Sequence, residues 1–183
     1  MIIKLLKSIL SKIEYRLAST SPKRYIQFLR KQGAQIGNNC CISPGVGLTE
    51  PFLVTIGDKA TITSGVLFIT HDGGVEVLMN KGMVERPDKF GRITVGNNVF
   101  IGMRAIILPG VTIGSNVVIG AGSVVSKDIP DNCVAAGVPA RPLKNLDQFF
   151  ESNRDKIIKT KYLSTSEKKK ILLEGHADEY RIH

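Results

Sequence analysis

The feature that most constrains this chain is an aliphatic residue that returns every six positions. Over residues 95–125 the period runs without slippage, and a glycine usually follows the aliphatic residue. A helix repeats every 3.6 residues and a half-buried strand every two, so neither gives a period of six. A short strand followed by a turn does, and three such units close one triangular coil. Stacked coils would bury continuous ladders made of Val95, Ile101, Ile107, Ile113, Ile119 and Val125.

The same period occupies an earlier part of the chain, with two interruptions. Two extra residues separate the first three units from the next three. A longer gap then divides Phe68 from Val95, which stands 27 positions later, and 27 is not a multiple of six. We therefore predict that a loop leaves the coil at about residues 72–92, and such loops often build binding sites. The early aliphatic positions are Ile36, Ile42, Leu48, Ile56, Ile62 and Phe68.

Composition agrees with a core of stacked β-branched residues. Aromatic residues make up 6% of the chain, tryptophan is absent, and there are 18 glycines. Large aromatic side chains usually carry much of a conventional core, so this fold must need few of them. Cys40, Cys41 and Cys133 are an odd number of cysteines with two adjacent members. That is a poor disulfide framework, so we expect small buried side chains in a protein of the reducing cytosol.

Residues 33–145 resemble the hexapeptide-repeat acyltransferase superfamily in this six-residue pattern. The stretch SGVLFITHDGG and the ending AGVPARPLK are similar to sugar acetyltransferases, including galactoside, maltose, capsule and O-antigen acetyltransferases. The resemblance implies an all-β core coiled as a left-handed parallel β-helix, an exception to the usual right-handed crossover. It also implies a homotrimer that moves an acetyl group from acetyl-CoA to a sugar hydroxyl in polysaccharide biosynthesis.

The repeat divides the chain into three parts. We expect an N-terminal helical segment at 1–31, the β-helix with its loop at 32–144, and a C-terminal helical region at 145–183. We predict two helices in the last part. One covers NLDQFFESNRDKIIKT, and the other begins at Ser164, which precedes Glu167 by the three residues of a capping box.

His71 stands at the root of the predicted loop and is the one histidine in the repeat region. Acyl transfer to a hydroxyl needs a group that removes the hydroxyl proton as the oxygen attacks the thioester. Neutral imidazole suits that task at neutral pH, because its unperturbed pKa is about 6.5. From the residues alone, a general base and a histidine that caps a strand are nearly equal interpretations. The resemblance places the catalytic histidine of the family at this position.

A histidine base is commonly oriented by a carboxylate that accepts from its other ring nitrogen. Glu50 lies in the irregular insertion one coil earlier, so it could reach the level of His71. Asp72 is adjacent in sequence, but neighbouring side chains in extended backbone point in opposite directions. We therefore predict that Glu50 orients His71 or binds the acceptor. We predict that Asp72 binds sugar hydroxyls or stiffens the turn before Gly73 and Gly74.

The residues that would bind CoA come from the resemblance, one position at a time. In the family the pantetheine arm lies in a groove between subunits, close to backbone amides and small side chains. The chemistry of the matching positions agrees, since three of them are cations suited to phosphates. Met103 departs from the pattern, because related sugar acetyltransferases have a small hydroxyl residue there. The matching positions are Ala121, Ser126, Lys127, Arg141 and Lys144.

Charge limits the partners that this chain could bind. The net charge of +9 suits an anionic small molecule such as a nucleotide-bearing cofactor. Nothing resembles a recognition helix or an aromatic-studded basic strand, so nucleic acid is disfavoured.

The first eighteen residues place an apolar face on one side of a predicted helix. Lysines interrupt the apolar run, so it cannot span a bilayer, although it could lie on an anionic membrane surface. Packing against the protein's own body or a partner subunit is the preferred interpretation, because amphipathic helices mostly face a core. We expect a cytoplasmic protein, with any membrane contact peripheral at the inner face. The apolar face consists of Ile2, Leu6, Ile9, Ile13 and Leu17.

Other functions use a similar coil. A γ-class carbonic anhydrase needs three zinc-binding histidines, and the repeat region has one, so we expect no metal. A sugar nucleotidyltransferase would need a nucleotide-binding domain before the repeat, where the sequence has a short helical segment. A non-catalytic β-helix would not predict a histidine at the loop root or a basic C-terminal motif. Among enzymes, N-acetylation of an amino sugar or sugar nucleotide is the alternative to O-acetylation.

Overall fold

The computed structural model of the protein describes residues 10, 12–174 and 180–182. The chain forms two compact units, residues 1–144 and residues 145–183. Helices and a three-sided coil make up the first unit, and the second contains short helices.

Three sheets form the sides of the coil, and β1 to β13 pair in parallel within them. Because successive strands up to β12 join successive sheets, three strands complete one coil. This is the predicted left-handed parallel β-helix, and the fold class is confirmed. Sheet A contains β1 (Gln35–Ile36), β4 (Val54–Ile56), β7 (Ile93–Val95) and β10 (Thr112–Ile113). Sheet B contains β2 (Cys41–Ile42), β5 (Thr61–Ile62), β8 (Val99–Ile101), β11 (Val117–Ile119), β13 (Cys133–Gly137) and β14 (Ala140–Asn145). Sheet C contains β3 (Gly47–Leu48), β6 (Leu67–Phe68), β9 (Ile106–Ile107) and β12 (Val124–Val125).

The residues that recur every six positions form the core of the coil. From Ile56 onward each predicted aliphatic position is at most 2% exposed, whereas Ile36 and Leu48 of the first coil are partly buried. Small or β-branched residues four places further on are buried beside the ladders, so the core closes with few large side chains. These are Val99, Ala105, Val111, Val117 and Ser123, each at most 3% exposed.

Strand register shows how the interruptions are absorbed. Val95 pairs with Ile113, 18 positions later, which is the length of a regular coil. Ile36 pairs with Ile56 across 20 positions, and Ile56 pairs with Val95 across 39. The first coil is therefore two residues longer than a regular one and the second is 21 longer. The short extra piece forms a 3-10 turn, Pro51–Leu53, and the long one carries a helix, α3 (Val75–Asn80).

Neighbouring coils approach so closely at one corner that only glycine fits. A Cβ atom on Gly96 would lie 2.6 Å from Ser115 Oγ and 2.7 Å from the carbonyl carbon of Gly114 in the next coil. The next residue completes the contact, since the N–H of Asn97 donates to Ser115 Oγ at 3.0 Å. Glycine at this corner thus permits a backbone-to-side-chain bond that ties one coil to the next.

Among the described residues, two helices precede the first coil: α1, whose described part includes residues 12–18, and α2 (Pro22–Lys31). The N-cap Ser21 accepts from the N–H of Arg24, which begins α2. The buried side chains of α2 include Tyr25, whose hydroxyl donates to the carbonyl of Val46 at 2.6 Å. Burial is the main cause that raises the pKa of Tyr25 to about 12. The helix α2 thereby covers the apolar end that an open solenoid would expose.

The described residues include only part of the predicted apolar face of the N-terminal segment. Ile2, Leu6 and Ile9 lie outside the described residues. Ile13 and Leu17 are 49% and 59% exposed, so the preferred packing against the protein's own body does not hold for these two side chains. Contact with a membrane surface or a partner subunit stays a prediction. No helix among the described residues is long and apolar enough to cross a membrane.

The second unit contains α4 (Leu146–Glu151), a 3-10 turn (Arg154–Lys156) and α5 (Thr165–Leu173). The predicted capping box is present at the start of α5, where Ser164 and Glu167 bond to each other's backbone N–H. The helix predicted over NLDQFFESNRDKIIKT is much shorter than expected. The side chains of Ser152 and Asn153 bond to the carbonyl of Phe149, and such local bonds compete with helix continuation.

Candidate active site

The two interruptions of the coil lie at the same corner. Leu48 and Phe68 are register partners in sheet C, and each is the last residue of its strand before the chain departs from the regular coil. Glu50 follows Leu48 by two positions and His71 follows Phe68 by three. Parallel pairing in register therefore brings these two side chains together, although they are far apart in sequence.

Glu50 and His71 form a hydrogen-bonded pair. Both carboxylate oxygens of Glu50 lie 3.0 Å from Nδ1 of His71. An ionised carboxylate can only accept, so in the neutral imidazole Nδ1 carries the proton and Nε2 keeps its lone pair. The side chain of His71 is 46% exposed and that of Glu50 is 21% exposed. The pair thus offers a basic nitrogen to a molecule outside the coil.

Glu50 is held from the inside of the coil by Thr70. The Thr70 hydroxyl donates to Glu50 Oε2, and the backbone N–H of Glu50 donates to Thr70 Oγ1 at 3.1 Å. The hydrogen bond from Thr70 is the largest cause that lowers the pKa of Glu50 below its ordinary value, followed among the lowering contacts by His71. Sequence reasoning missed Thr70, because a threonine at the end of a strand carries no signal of its own.

Asp72 faces the base of the loop rather than His71. Its Oδ2 accepts from Lys89 Nζ at 2.8 Å and its Oδ1 accepts from the N–H of Gly74 at 3.0 Å. Lys89 is the main cause that lowers the pKa of Asp72. Asp72 has two predicted roles, and these contacts favour the one in which it stiffens the turn. Its side chain is 44% exposed, so it can also meet a bound molecule.

The loop returns to the coil beside His71. The N–H of Asp72 donates to the carbonyl of Lys89 at 2.9 Å, and that of Gly91 donates to the carbonyl of Thr70 at 2.8 Å. This pairing holds the exposed ring of Phe90 edge-on to His71, with 6.3 Å between ring centroids. Phe90 is a second residue that sequence reasoning missed, since its position depends on where the loop ends.

A cleft of about 300 Å³ lies between the loop and the corner. Larger clefts of about 450 and 620 Å³ flank α2, but no histidine lines either of them. The cleft beside the loop therefore holds the candidate chemistry despite its smaller size. Its lining consists of Glu50, His71, Asp72, Gly73, Val75, Glu76, Pro87, Asp88, Lys89 and Phe90.

The positions matched to CoA lie elsewhere on the chain. Ala121 lies 18 positions after Met103, which is one regular coil, so the two residues occupy the same corner of neighbouring coils. The N–H of the next residue, Gly122, donates to the carbonyl of Met103 at 2.8 Å. Met103, where the pattern departs, is 54% exposed. Ser126 and Lys127 follow β12, and Arg141 and Lys144 lie in β14; all except the partly buried Lys144 are exposed. Within the described residues of one chain, none of these positions lines the cleft at His71.

No metal centre accompanies this site in the part of the chain that the structure describes. Among those residues, no three His, Cys, Asp or Glu side chains are grouped so that they could hold an ion.

Comparison with known proteins supports the family. Residues 92–127 match the model described as "Bacterial transferase hexapeptide (six repeats)". Protein CapG of Staphylococcus aureus is 49% identical over 148 residues, which are 79% of this chain and 85% of CapG. Galactoside O-acetyltransferase of Escherichia coli is 42% identical over 124 residues, which are 67% of this chain and 59% of that enzyme.

Solved structures of hexapeptide-repeat and galactoside acetyltransferases are also similar to this chain. A galactoside acetyltransferase in complex with coenzyme A is 31% identical, with a TM-score of 0.60 over 78% of this chain and 82% of that one. A hexapeptide-repeat acetyltransferase of Vibrio cholerae in complex with acetyl-CoA is 30% identical, with a TM-score of 0.55 over 62% of this chain and 61% of that one. The repeat, the coil and these likenesses agree, and this chain belongs to the hexapeptide-repeat family of CoA-dependent acetyltransferases.

Proposed function

We propose that this protein transfers the acetyl group of acetyl-CoA to a hydroxyl of a sugar, with His71 as the general base. The observation that carries the proposal is the Glu50–His71 pair in the loop-side cleft, with Nε2 available to an acceptor. Glu50 holds the imidazole in the tautomer that a base requires. The names of related proteins, galactoside O-acetyltransferase among them, supply the acceptor class.

The proposed reaction needs one base and no metal. The sugar hydroxyl attacks the thioester carbonyl carbon while its proton passes to Nε2 of His71. The tetrahedral intermediate then expels the CoA thiolate, and the imidazolium returns the proton to that sulfur. The products are an O-acetyl sugar and free CoA thiol, and His71 is again neutral.

The donor would be bound by the last coils of the β-helix. Lys127, Arg141 and Lys144 are cations that fit the phosphates of CoA, and the small side chain of Ala121 and the hydroxyl of Ser126 fit its pantetheine arm. The complexes of related acetyltransferases with CoA and acetyl-CoA support this choice of donor. Glu50 and Asp72 would bind the acceptor at the other side of the reacting atoms.

We propose a homotrimer, in which the donor residues of one chain face the His71 cleft of its neighbour. The separation of the two groups within one chain supports a shared site. Large apolar side chains on the outer faces of the coil, such as Leu67 and Phe100, each 42% exposed, are suited to contact between subunits. A role in polysaccharide biosynthesis and a cytoplasmic location belong to the same proposal. The three free cysteines agree with a reducing compartment, although only Cys133 is buried as expected.

The experiment that tests this function is a thiol-release assay. The full chain and acetyl-CoA are incubated with neutral sugars, amino sugars and sugar nucleotides, and the acetylated products are located by NMR. We expect release of CoA with hydroxyl acceptors and an ester in the product. An amide formed only with amino sugars would replace O-acetylation by N-acetylation, and acetyl-CoA that stays intact with every acceptor would contradict the donor.

A further inference from the structure

Thr70 is a buried polar residue to which the proposed chemistry assigns no role. It is 0% exposed, in a core otherwise built almost wholly of aliphatic side chains. A buried hydroxyl is costly unless its hydrogen bonds are satisfied, so its position needs a reason. Thr70 directly precedes His71 in sequence and lies against Glu50 across the corner.

The Thr70 hydroxyl uses its full bonding capacity on the neighbouring coil. A hydroxyl can donate one hydrogen bond and accept two. Since the carboxylate of Glu50 can only accept, the proton of Thr70 goes to Glu50 Oε2. The two acceptor positions take the backbone N–H of Glu50 at 3.1 Å and the hydroxyl of Thr49, whose oxygen is 2.8 Å away.

Thr49 closes the network by accepting from the backbone N–H of Thr70 at 2.9 Å. Both the backbone and the carboxylate of Glu50 are therefore fixed by one hydroxyl that water cannot reach. Glu50 itself is accessible to water, and its bond to His71 is made at the surface. The buried Thr70 hydroxyl distinguishes this pair from a fully exposed one, whose two side chains would readily exchange their hydrogen bond for bonds to water.

We propose that Thr70 is a positioning residue, whose hydroxyl fixes the Glu50 carboxylate and thereby the Nδ1–H tautomer of His71. The effect on catalysis rests on the proposed function, whereas the effect on the tautomer does not. Thr70 touches neither substrate, so its removal should act on the turnover number and leave donor binding unchanged.

The test compares Thr70→Val, which removes the hydroxyl at nearly constant shape, with Thr70→Ser, which keeps it. Thr63→Val is the matched control, because the Thr63 hydroxyl donates to the carbonyl of Ile101 at 2.7 Å at another corner of the coil. We expect Thr70→Val to lower kcat on the order of 10- to 100-fold, the scale of a misplaced catalytic group, with KM for acetyl-CoA unchanged. Thr70→Ser should restore kcat and Thr63→Val should keep it.

Imidazole 15N shifts of His71 give a readout that does not depend on turnover. We expect one tautomer, protonated at Nδ1, in the wild type and in Thr70→Ser, and a mixture of tautomers in Thr70→Val. If Thr70→Val does not fold, Thr70→Cys replaces it, since a thiol of similar size is a weaker donor. A single Nδ1–H tautomer with wild-type kcat in the hydroxyl-free variant would overturn the proposal, and so would failure of serine to rescue. Activity retained by His71→Asn would instead remove the proposed function and leave the tautomer result standing.

Discussion

Both carboxylate oxygens of Glu50 lie 3.0 Å from Nδ1 of His71, so the imidazole is held by a group that reaches it from the preceding coil. Neither residue is part of a strand or a helix, since each follows the last residue of a strand at the corner where the coil is interrupted. The pair is therefore positioned by the register of β3 and β6, and its consequences can be measured separately from the stability of the coil.

Replacement of His71 should separate chemistry from folding. We expect His71→Asn to lower kcat by roughly 100- to 10,000-fold, the usual contribution of a positioned base. Thermal stability and CoA affinity should stay at the wild-type level, because the buried ladders do not include this side chain. The same change at His176 in the tail is the control. Near wild-type turnover in His71→Asn would show that His71 has no catalytic role and only anchors the loop.

Glu50 should make stability depend on pH in the acid range. Its pKa is lowered in the folded chain from an ordinary value of 4.5, chiefly by Thr70. The unfolded chain therefore binds more protons in that range, so the stabilising contribution is present above pH 4.5 and is lost as the pH falls through the folded-state pKa. Urea midpoints measured between pH 6 and pH 3 should fall less steeply for Glu50→Gln than for the wild type. Parallel curves would show that Glu50 is not coupled to folding.

The basic residues of β14 should act on donor binding alone. Arg141→Ala with Lys144→Ala removes two charged contacts, each worth about 1.5–3 kcal/mol if made to phosphate. We expect a marked rise in KM for acetyl-CoA and in the CoA dissociation constant by calorimetry, with kcat nearly unchanged. The pair Lys168→Ala and Lys169→Ala in α5 matches the charge removed. Equal effects of the two double variants would mean general electrostatic attraction rather than a binding site.

The association state can be measured directly. Light scattering at micromolar concentration should give about three times the chain mass of 20.0 kDa. Because the proposed donor and acceptor residues of one chain are separated, mixed trimers of His71→Asn and the Arg141/Lys144 double variant should recover part of the activity that each variant lacks at acetyl-CoA concentrations below KM. A monomer that turns over acetyl-CoA at the wild-type rate would rule out a shared site.

The close approach of the coils predicts a penalty at Gly96. A Cβ atom there would meet Ser115 and the backbone of Gly114 at 2.6–2.8 Å, and the backbone cannot move aside without shifting a whole coil. We expect Gly96→Ala to destabilise the protein by about 1–3 kcal/mol, the usual cost of overpacking. Gly73→Ala is the control, since a Cβ atom there would meet nothing within 4 Å. Thermal melts of the two variants that coincide would contradict this account of the repeat.

The regular part of the fold could be predicted because each coil repeats the same local rule. The burial of a residue such as Ile101 follows from its place in the six-residue repeat, and no contact with a residue distant in sequence is needed to predict it. The position of His71 at the root of an extra segment followed from the same count, since 27 is not a multiple of six. Contact between Glu50 and His71 could be suggested because both follow sheet C one coil apart.

The remainder depends on contacts that no period encodes. Thr70 resembles any strand-end threonine until the 3-10 turn after Glu50 places a carboxylate over it. The helix α3 and the position of Phe90 depend on how a 21-residue insertion folds on itself. The short α4 ends where the side chains of Ser152 and Asn153 bond to the backbone, a local competition that its apolar pattern does not reveal.

One corner of the coil accepts extra chain without any change in the strands on either side of it. Ile56 pairs in register with Ile36 below and with Val95 above, although two extra residues separate it from Ile36 and 21 extra ones separate it from Val95. Closing a longer loop adds little entropic cost, because that cost grows only with the logarithm of length. The coil can thus carry different segments at this corner. Exchange of residues 73–88 for those of a relative is therefore a route to a new acceptor specificity, if this loop binds the acceptor as proposed, and it leaves His71 and Glu50 in place.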